Sequence, residues 1–472
     1  MCGIFGAWGV ENAAVATFLG LHSLQHRGQE SVGIGTLNGT IEVARGLGIL
    51  SADAISLEQL TKLKGDKSVG QVRYSTQGDP NIQEAQPFEF RNPHNGHHIA
   101  YVHNGQLNGN NGWQTTRSDS ERFGHAFAQS SGSLEERVFG MLSKLSSQGS
   151  YALCMLTHDP KEGDALIVAK DPHGNRPLVM GKTQQGGYVF ASEDCALQSV
   201  RIGLRMQFEF QRELAQGEVI IITKDGMKTY GPDLLPKPIK PSTPLPCFFE
   251  AVYFARPDSH IFGHSVHAIR QNLGRQLAIE APVNADIIVP VPDSAQYIAE
   301  GYARQSGIQF EKAITRSHYI GRTFIDPARL IKVGDFADSR LLSIVRKFGF
   351  VEELIHDQRI VLVDDSIVRG NTMRSLVKTL YELGAKEVHL RIGSPPTTNS
   401  CYFGINTPTT QELIANGRNV EQIMQLLDYE ATCHPTSLQF LSYEGTMAQI
   451  PYAKNGVCDA CVTGDYKMPQ GK

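Results

Sequence analysis

Six prolines fall within the seventeen residues GPDLLPKPIKPSTPLPC, 231–247. Proline locks φ and removes a backbone donor, so neither a helix nor an inner strand survives that density. The stretch reads as a semi-rigid linker over 231–246. It divides the chain into one unit over 2–230 and another over 247–472, and the two are patterned differently.

Before the linker, short β-like runs dominate: IEVARG, SVGQVRYS, HIAYVHNG, YALCMLTH, DALIVAKD, GYVFASE and EVIIITKDG. Gly, Asn and Asp turns punctuate them. Two helical patterns interrupt. In AAVATFLGLHSLQH the apolar residues Val15, Phe18, Leu19 and Leu24 are predicted to form the packed face, with Gly28 as the stop. SDSERFGHAFAQ opens with polar caps and turns periodic. Strands with few helices between them predict two stacked sheets under outer helices, an α+β sandwich.

After the linker the scheme becomes strand, loop, helix. ADIIVPVPDSAQYIAEGYARQSG has a buried run, a turn, then Ile298, Ala299, Tyr302 and Ala303 on one helical face. QRIVLVDDSIVRGNTMRSLVKTLYELGAKEVHLRIGS repeats it, with Ile360–Val363 as the strand and Leu376, Val377, Leu380 and Leu383 on the helix. Repeated βαβ units predict an α/β domain with a parallel sheet. The last 60 or so residues read as helix and loop.

A chain of 472 residues carries two or three domains. With 41% hydrophobic and 19% charged residues it is globular, and a net charge of −4 argues against a nucleic-acid or anionic-membrane partner. No apolar run is long enough to span a bilayer, and the first residues do not read as a secretory signal, so a cytoplasmic enzyme is expected. The eight cysteines are then not a disulfide framework. Cys154 and Cys195 lie in packing stretches, while Cys458 and Cys461 form C-x-x-C, a spacing that suits two ligands on one metal.

Two stretches carry chemistry. In VLVDDSIVRGNT a buried strand ends in Asp364 and Asp365, followed by a loop of small and hydroxyl residues and a helix start. Loop amides and a helix N-terminus make an anion pocket, and paired carboxylates beside it suit ribose hydroxyls or a Mg²⁺ carried by a pyrophosphate. The alternative is an ordinary capped strand end. MCGIFG puts a thiol second in the chain. Either Cys2 is a small strand residue, or Met1 is removed and Cys2 carries its own amine beside its thiol.

The Asp-Asp-Ser-Ile-Val-Arg-Gly-Asn-Thr run resembles the phosphoribosyl pyrophosphate (PRPP) loop of type I phosphoribosyltransferases. The resemblance implies that Asp364 and Asp365 hold the ribose hydroxyls and Mg²⁺. Ser366, Ile367, Val368, Arg369, Gly370, Asn371 and Thr372 would cradle the 5′-phosphate. VPVPDSA resembles the pyrophosphate loop, with Ser294 beside the metal. In the first unit MCGIFG, LQHRGQESVGI, VRYSTQG, VHNGQL, SDSE and DPHGNRPL occur in that order. They resemble the glutamine amidotransferase domain of the N-terminal-nucleophile class, an αββα sandwich. With the PRPP loop behind it, the whole chain resembles the amidophosphoribosyltransferase family.

That resemblance implies glutamine hydrolysis at Cys2 and attack of ammonia on C1 of PRPP. The products are 5-phosphoribosylamine, glutamate and pyrophosphate, and the step opens purine synthesis. It makes Asn104 and Gly105 the oxyanion donors, Arg73 the clamp on the glutamine carboxylate, Asp119 the partner of its amine, and Arg27 an orienting group. YIGRTFID, 319–326, becomes a lid with Arg322 on the pyrophosphate. Cys247, Cys401, Cys458 and Cys461 fall where one branch of the family holds a 4Fe–4S cluster, four thiolates suiting structural zinc as well. Cys433 falls outside that set. A homotetramer inhibited by purine nucleotides is also implied. Two stretches depart from the family pattern: the segment after the lid, 332–359, and Asn108-Gly109. A non-catalytic PRPP-sensing regulator is the alternative, and it would not need Cys2, Arg73 and Asn104 together.

Overall fold

The computed structural model describes residues 1–74, 81–92, 96–108, 118–145, 148–232, 243–317, 347–407, 409–428 and 433–468. The first unit contains two antiparallel sheets. One has seven strands in the spatial order Phe208–Glu213, Val179–Thr183, Tyr188–Ala191, Gly3–Trp8, Lys67–Arg73, Ser31–Leu37 and Ile41–Leu47. The other has six: Gly226–Tyr230, Val219–Thr223, Gly163–Lys170, Gly149–Asp159, His98–Leu107 and Phe88–Arg91.

Side chains alternate across a strand with period two. Along Gly149–Asp159, Ala152, Cys154 and Leu156 point between the sheets, where they meet Ile4, Val69 and Phe190. Tyr151, Leu153 and Met155 point the other way, onto Phe123, Val138 and Leu142 of the helices Glu121–Ala128 and Leu134–Leu145. Both faces are covered. That is why YALCMLTH reads as a continuous apolar run rather than an alternating one. Cys154 and Cys195 are buried packing residues.

The helix Ala13–Ser23 covers the seven-stranded sheet, and of the expected residues only Leu24, just past its end, is fully buried in that core. Ala13, Ala16, Thr17, Gly20 and Leu21 are buried, whereas Val15, Phe18 and Leu19 are only half-buried. The small residues let the helix lie close on the sheet: a Cβ on Gly20 would collide with the Phe5 ring. Leu19 packs instead near Gly203 on the neighbouring helix Asp194–Gly203.

The second unit is a doubly wound parallel sheet in the order Gln309–Phe310, Ile287–Pro290, Arg359–Asp364, Glu387–Ile392 and Ser437–Phe440. On one face, Ile288, Val361 and Val363 pack against Leu273, Leu277, Ile298 and Tyr302 of the helices Val266–Glu280 and Gln296–Ser306. On the other, Val289, Ile360 and Leu362 pack against Leu376, Val377 and Leu380 of Asn371–Glu382. The strand Ser437–Phe440 corrects the reading of the last residues as helix and loop alone. It is four residues long and sits at the sheet edge, with Leu438 its buried residue. So short a segment leaves almost no periodicity to read.

Residues 233–242 of the Pro-rich stretch lie outside the described residues. Its end docks on the first unit: the Leu245 amide donates to the His173 carbonyl at 2.8 Å, and Asn175 Nδ2 donates to the Leu245 carbonyl at 2.8 Å. Among the described residues no helix is long and apolar enough to cross a membrane.

Candidate active site

Cys2 enters the strand Gly3–Trp8, inside the seven-stranded sheet. Its nitrogen donates to Asn104 Oδ1 at 3.0 Å, and its carbonyl accepts from Arg27 Nε at 3.0 Å. Sγ lies 3.8 Å from the Tyr74 carbonyl oxygen. Met1 is present, so this nitrogen is a peptide amide, standing in for the α-amine that Met1 removal would free. Asn104 Nδ2 is buried and has no partner among the described residues. Asn104 and Gly105 occupy the interior of His98–Leu107, opposite Ala152 and Tyr151. Gly105 has φ +149°, and a Cβ there would collide with the Ser150 carbonyl.

Arg73 ends the strand next to Gly3–Trp8. Its Nη2 pairs with Glu84, while Nη1 is buried with no partner among the described residues. Asp119 Oδ2 accepts from the Leu107 amide at 2.7 Å, which ties it to the end of the Asn104 strand. Residues 75–80 and 109–117, including Gly109, lie outside the described residues.

Behind Cys2 lies a buried chain of charges that the sequence reading did not contain, apart from Arg27. Arg27 Nη1 meets Glu193 at 2.5 Å and Nη2 meets Glu250 at 2.8 Å; Arg176 Nη1 lies 3.5 Å from Glu250. All four side chains are fully buried. Burial opposes ionisation of Glu193, but His26 and Arg27 together hold its carboxyl well below the ordinary range. Glu193 also accepts from Ser259 Oγ at 2.7 Å and the Arg256 amide at 2.9 Å, which places the stretch YFARPDS, residues 253–259 of the second unit, against the first unit. The signal for Glu250 was present: it interrupts the aromatic run CFFEAVYF, where a carboxylate needs a buried cation.

The second cluster stands at the carboxyl end of the parallel sheet, the usual ligand edge of this architecture. Asp364 closes its strand and Asp365 follows, buried. Ser366 Oγ donates to Asp365 Oδ1 at 2.7 Å, Ser294 hydrogen-bonds the same carboxyl, and buried Arg270 faces it. Burial pushes both carboxyls up, and for Asp364 the neighbouring Asp365 adds to it. A cation held between them would offset both effects. Gly370, at φ +80°, precedes the helix Asn371–Glu382, so Asn371 and Thr372 lie in its first turn. Ile367 packs into the core, and the Val368 carbonyl accepts from the Ile414 amide at 2.9 Å. Arg369 is paired with Glu412 at 3.0 Å on the surface rather than turned into the loop. Arg322 and the 319–326 stretch lie outside the described residues.

The four cysteines converge from separate places. Cys247 and Cys458 pair in a parallel bridge, and Thr398 and Asn399 amides both donate to the Cys461 carbonyl at 3.0 Å. The Phe403 amide donates to Cys401 Sγ at 3.3 Å. Burial, then the neighbouring Cys247, Cys401 and Cys458, push the Cys461 thiol well up, so all four feel one another. Among the described residues no three His, Cys, Asp or Glu side chains are arranged to hold a metal ion as they stand. The donor set itself, four soft thiols drawn together, fits an iron–sulfur cluster or zinc.

The model of the glutamine amidotransferase domain family matches residues 78–199. The chain is 40% identical over 478 residues to chloroplastic amidophosphoribosyltransferase 2 of Arabidopsis thaliana, across 99% of this chain and 79% of that one. It is 38% identical to the amidophosphoribosyltransferase of Bacillus subtilis, across 98% and 94% of the two chains. Among solved structures it matches the B. subtilis glutamine PRPP amidotransferase complexed with ADP and GMP, with TM-score 0.83, 36% identity and coverage of 99% and 100%. It also matches one described as the allosteric regulatory enzyme of purine biosynthesis, with TM-score 0.84, 37% identity and coverage of 98% and 96%.

Fold and site together define a glutamine amidotransferase of the N-terminal-nucleophile class joined to a type I phosphoribosyltransferase domain. The chain belongs to the amidophosphoribosyltransferase family, and its activity is glutamine-dependent amidotransfer to PRPP in purine biosynthesis.

Proposed function

We propose that Cys2, freed of Met1, is the nucleophile on the glutamine amide, and that the pair at 364–365 holds PRPP. The observation that carries this is Asn104. Its oxygen already holds the Cys2 nitrogen, and its buried Nδ2 is left over for an oxyanion. A thiol and an α-amine then sit on one residue as nucleophile and base. The thiolate adds to the amide carbon, Asn104 Nδ2 and the Gly105 amide steady the oxyanion, and ammonia leaves. Water then frees glutamate from the thioester. Ammonia displaces pyrophosphate at C1 of PRPP, forming the C–N bond as the C–O bond breaks.

Ammonia released into water would protonate, so a dry passage between the sites is required. Met1 is buried in the same apolar cluster as Cys247, Phe248 and Val252, across the interdomain core. Its removal would free the amine and vacate that space. Asp364, Asp365 and Ser294 would hold a single Mg²⁺ arriving with PRPP, which neutralises charge on the leaving pyrophosphate. Ser366 to Thr372 would take the 5′-phosphate through backbone amides and hydroxyls, with Arg322 on the pyrophosphate. Cys247, Cys401, Cys458 and Cys461 would hold a structural 4Fe–4S cluster, placing the chain in the iron–sulfur-bearing branch. Iron and sulfide analysis of anaerobically purified protein separates this from zinc. The nucleotides in the B. subtilis structure support feedback by purine nucleotides here. A cytoplasmic homotetramer completes the reading.

The test is pyrophosphate release from PRPP with Mg²⁺, using glutamine and, in parallel, ammonia at high pH. Activity with both donors supports the two-site reading; PRPP binding without turnover by either donor would sink it. Arg73 gives a sharper result. Lysine cannot make a forked grip on the glutamine carboxylate, so Arg73→Lys is expected to raise the glutamine KM about tenfold or more. The ammonia-dependent rate should stay unchanged, and a normal glutamine KM would remove Arg73 from the clamp.

A further inference from the structure

The oxyanion strand is gripped from outside its own domain. Residues 401–407 make a tight turn: the Cys401 amide donates to Thr407 Oγ1 at 2.7 Å, and the Thr407 amide donates to the Ile405 carbonyl at 2.9 Å. This turn belongs to the second unit but lies on the first. The Tyr402 carbonyl accepts from Asn108 Nδ2 at 2.8 Å. The buried Phe403 carbonyl accepts from Ser150 Oγ at 2.7 Å and from Arg176 Nε at 3.1 Å, with Arg176 Nη2 donating as well.

Gly404 completes the grip. It has φ +111°, a region L side chains rarely adopt. A Cβ there would stand 3.0 Å from the Gly105 carbonyl carbon and 3.1 Å from its Cα. Gly105 is therefore held between the Ser150 carbonyl on one side and the Gly404 backbone on the other. Arg176 extends the grip towards the nucleophile through Glu250, and Glu250 holds the Arg27 that binds the Cys2 carbonyl.

We propose that the turn Cys401–Ile405 is a positioning element for the oxyanion hole, so that glutamine hydrolysis at Cys2 is competent only when the two units are docked there. The inference rests on the assignment of Asn104 and Gly105 as oxyanion donors. Its chemical sense is economy of ammonia: glutamine is cleaved only where an acceptor domain is in place. Gly404 touches neither substrate, and acts through the Gly105 peptide. An oxyanion donor matters in the transition state more than in the ground state, so displacing it lowers kcat and spares KM.

The test uses the full-length protein with Met1 removal verified by mass. Losing one oxyanion donor costs about 10²–10³-fold in kcat, so Gly404→Ala, which displaces one, is expected to cost roughly 10–100-fold with glutamine. The glutamine KM should hold within about threefold, and the ammonia-dependent rate and iodoacetamide alkylation of Cys2 within about twofold. Ser150→Ala adds no bulk, and is expected to show the same pattern at roughly 3–10-fold, so it decides the matter if Gly404→Ala does not fold. Equal loss with both nitrogen donors, or wild-type kcat in both variants, would overturn the proposal. Asn104→Ala is the control. If it keeps glutamine activity, the oxyanion assignment falls and the positioning role with it. If it loses that activity while Gly404→Ala and Ser150→Ala do not, only the positioning role falls.

Discussion

Replacing Cys2 with alanine is expected to abolish glutamine-dependent pyrophosphate release, by about 10⁴-fold or more, and to leave the ammonia-dependent reaction within about twofold of wild type. The asymmetry follows from placement. Cys2 sits at the start of a strand in the first unit's sheet, whereas Asp364, Asp365 and Ser294 stand at the carboxyl end of the second unit's sheet. External ammonia needs only the second site. The substitution gives up only the long Sγ contact to the Tyr74 carbonyl at 3.8 Å, because the hydrogen bonds to Asn104 and Arg27 are made by the Cys2 backbone and remain in alanine. Surviving glutamine activity would refute the nucleophile assignment. Loss with both donors would show that the Cys2 side chain supports the phosphoribosyl site across the interface.

Asp365→Asn should behave in the opposite way, lowering the rate with glutamine and ammonia alike by about 10²-fold or more, since both donors meet the same PRPP. Stability should move in the other direction. Burial raises the Asp365 pKa in the folded protein, so the ionised carboxylate opposes folding above its unfolded pKa. Asparagine removes that charge at nearly constant shape. The variant is expected to melt at the same temperature as wild type or higher near neutral pH, a gain in stability made at the cost of function. A lower melting temperature together with lost activity would mean that Asp365 is structural.

Much of the architecture was legible because both faces of most strands are covered, which turns each into an apolar run bounded by turn residues. The helix face at Val15, Phe18 and Leu19 was misread for a related reason. Bulk marks packing in a sequence, but a helix pressed onto a sheet uses Ala16 and Gly20 instead. At the first site, Arg27 and Asn104 lie 25 and 102 residues from Cys2 in the chain, and each bonds its backbone directly. Their proximity was legible only through resemblance, since spacing does not encode it. The surface partner of Arg369 could not be read from the motif, for Glu412 lies 43 residues on. Tyr402, Phe403 and Gly404 carried no local signal. They act through backbone carbonyls and a missing Cβ, and neither is visible in residue chemistry.

The buried charges have a consequence for how the protein is made. Arg27 and Glu250 are 223 residues apart, and the strands of the first unit are complete at Tyr230. Of the two carboxylates that meet these arginines, Glu193 lies before the linker and pairs with Arg27, whereas Glu250 lies after it and meets both Arg27 and Arg176. The charge balance behind Cys2 is therefore shared between the units, and it is complete only when both have been made and joined.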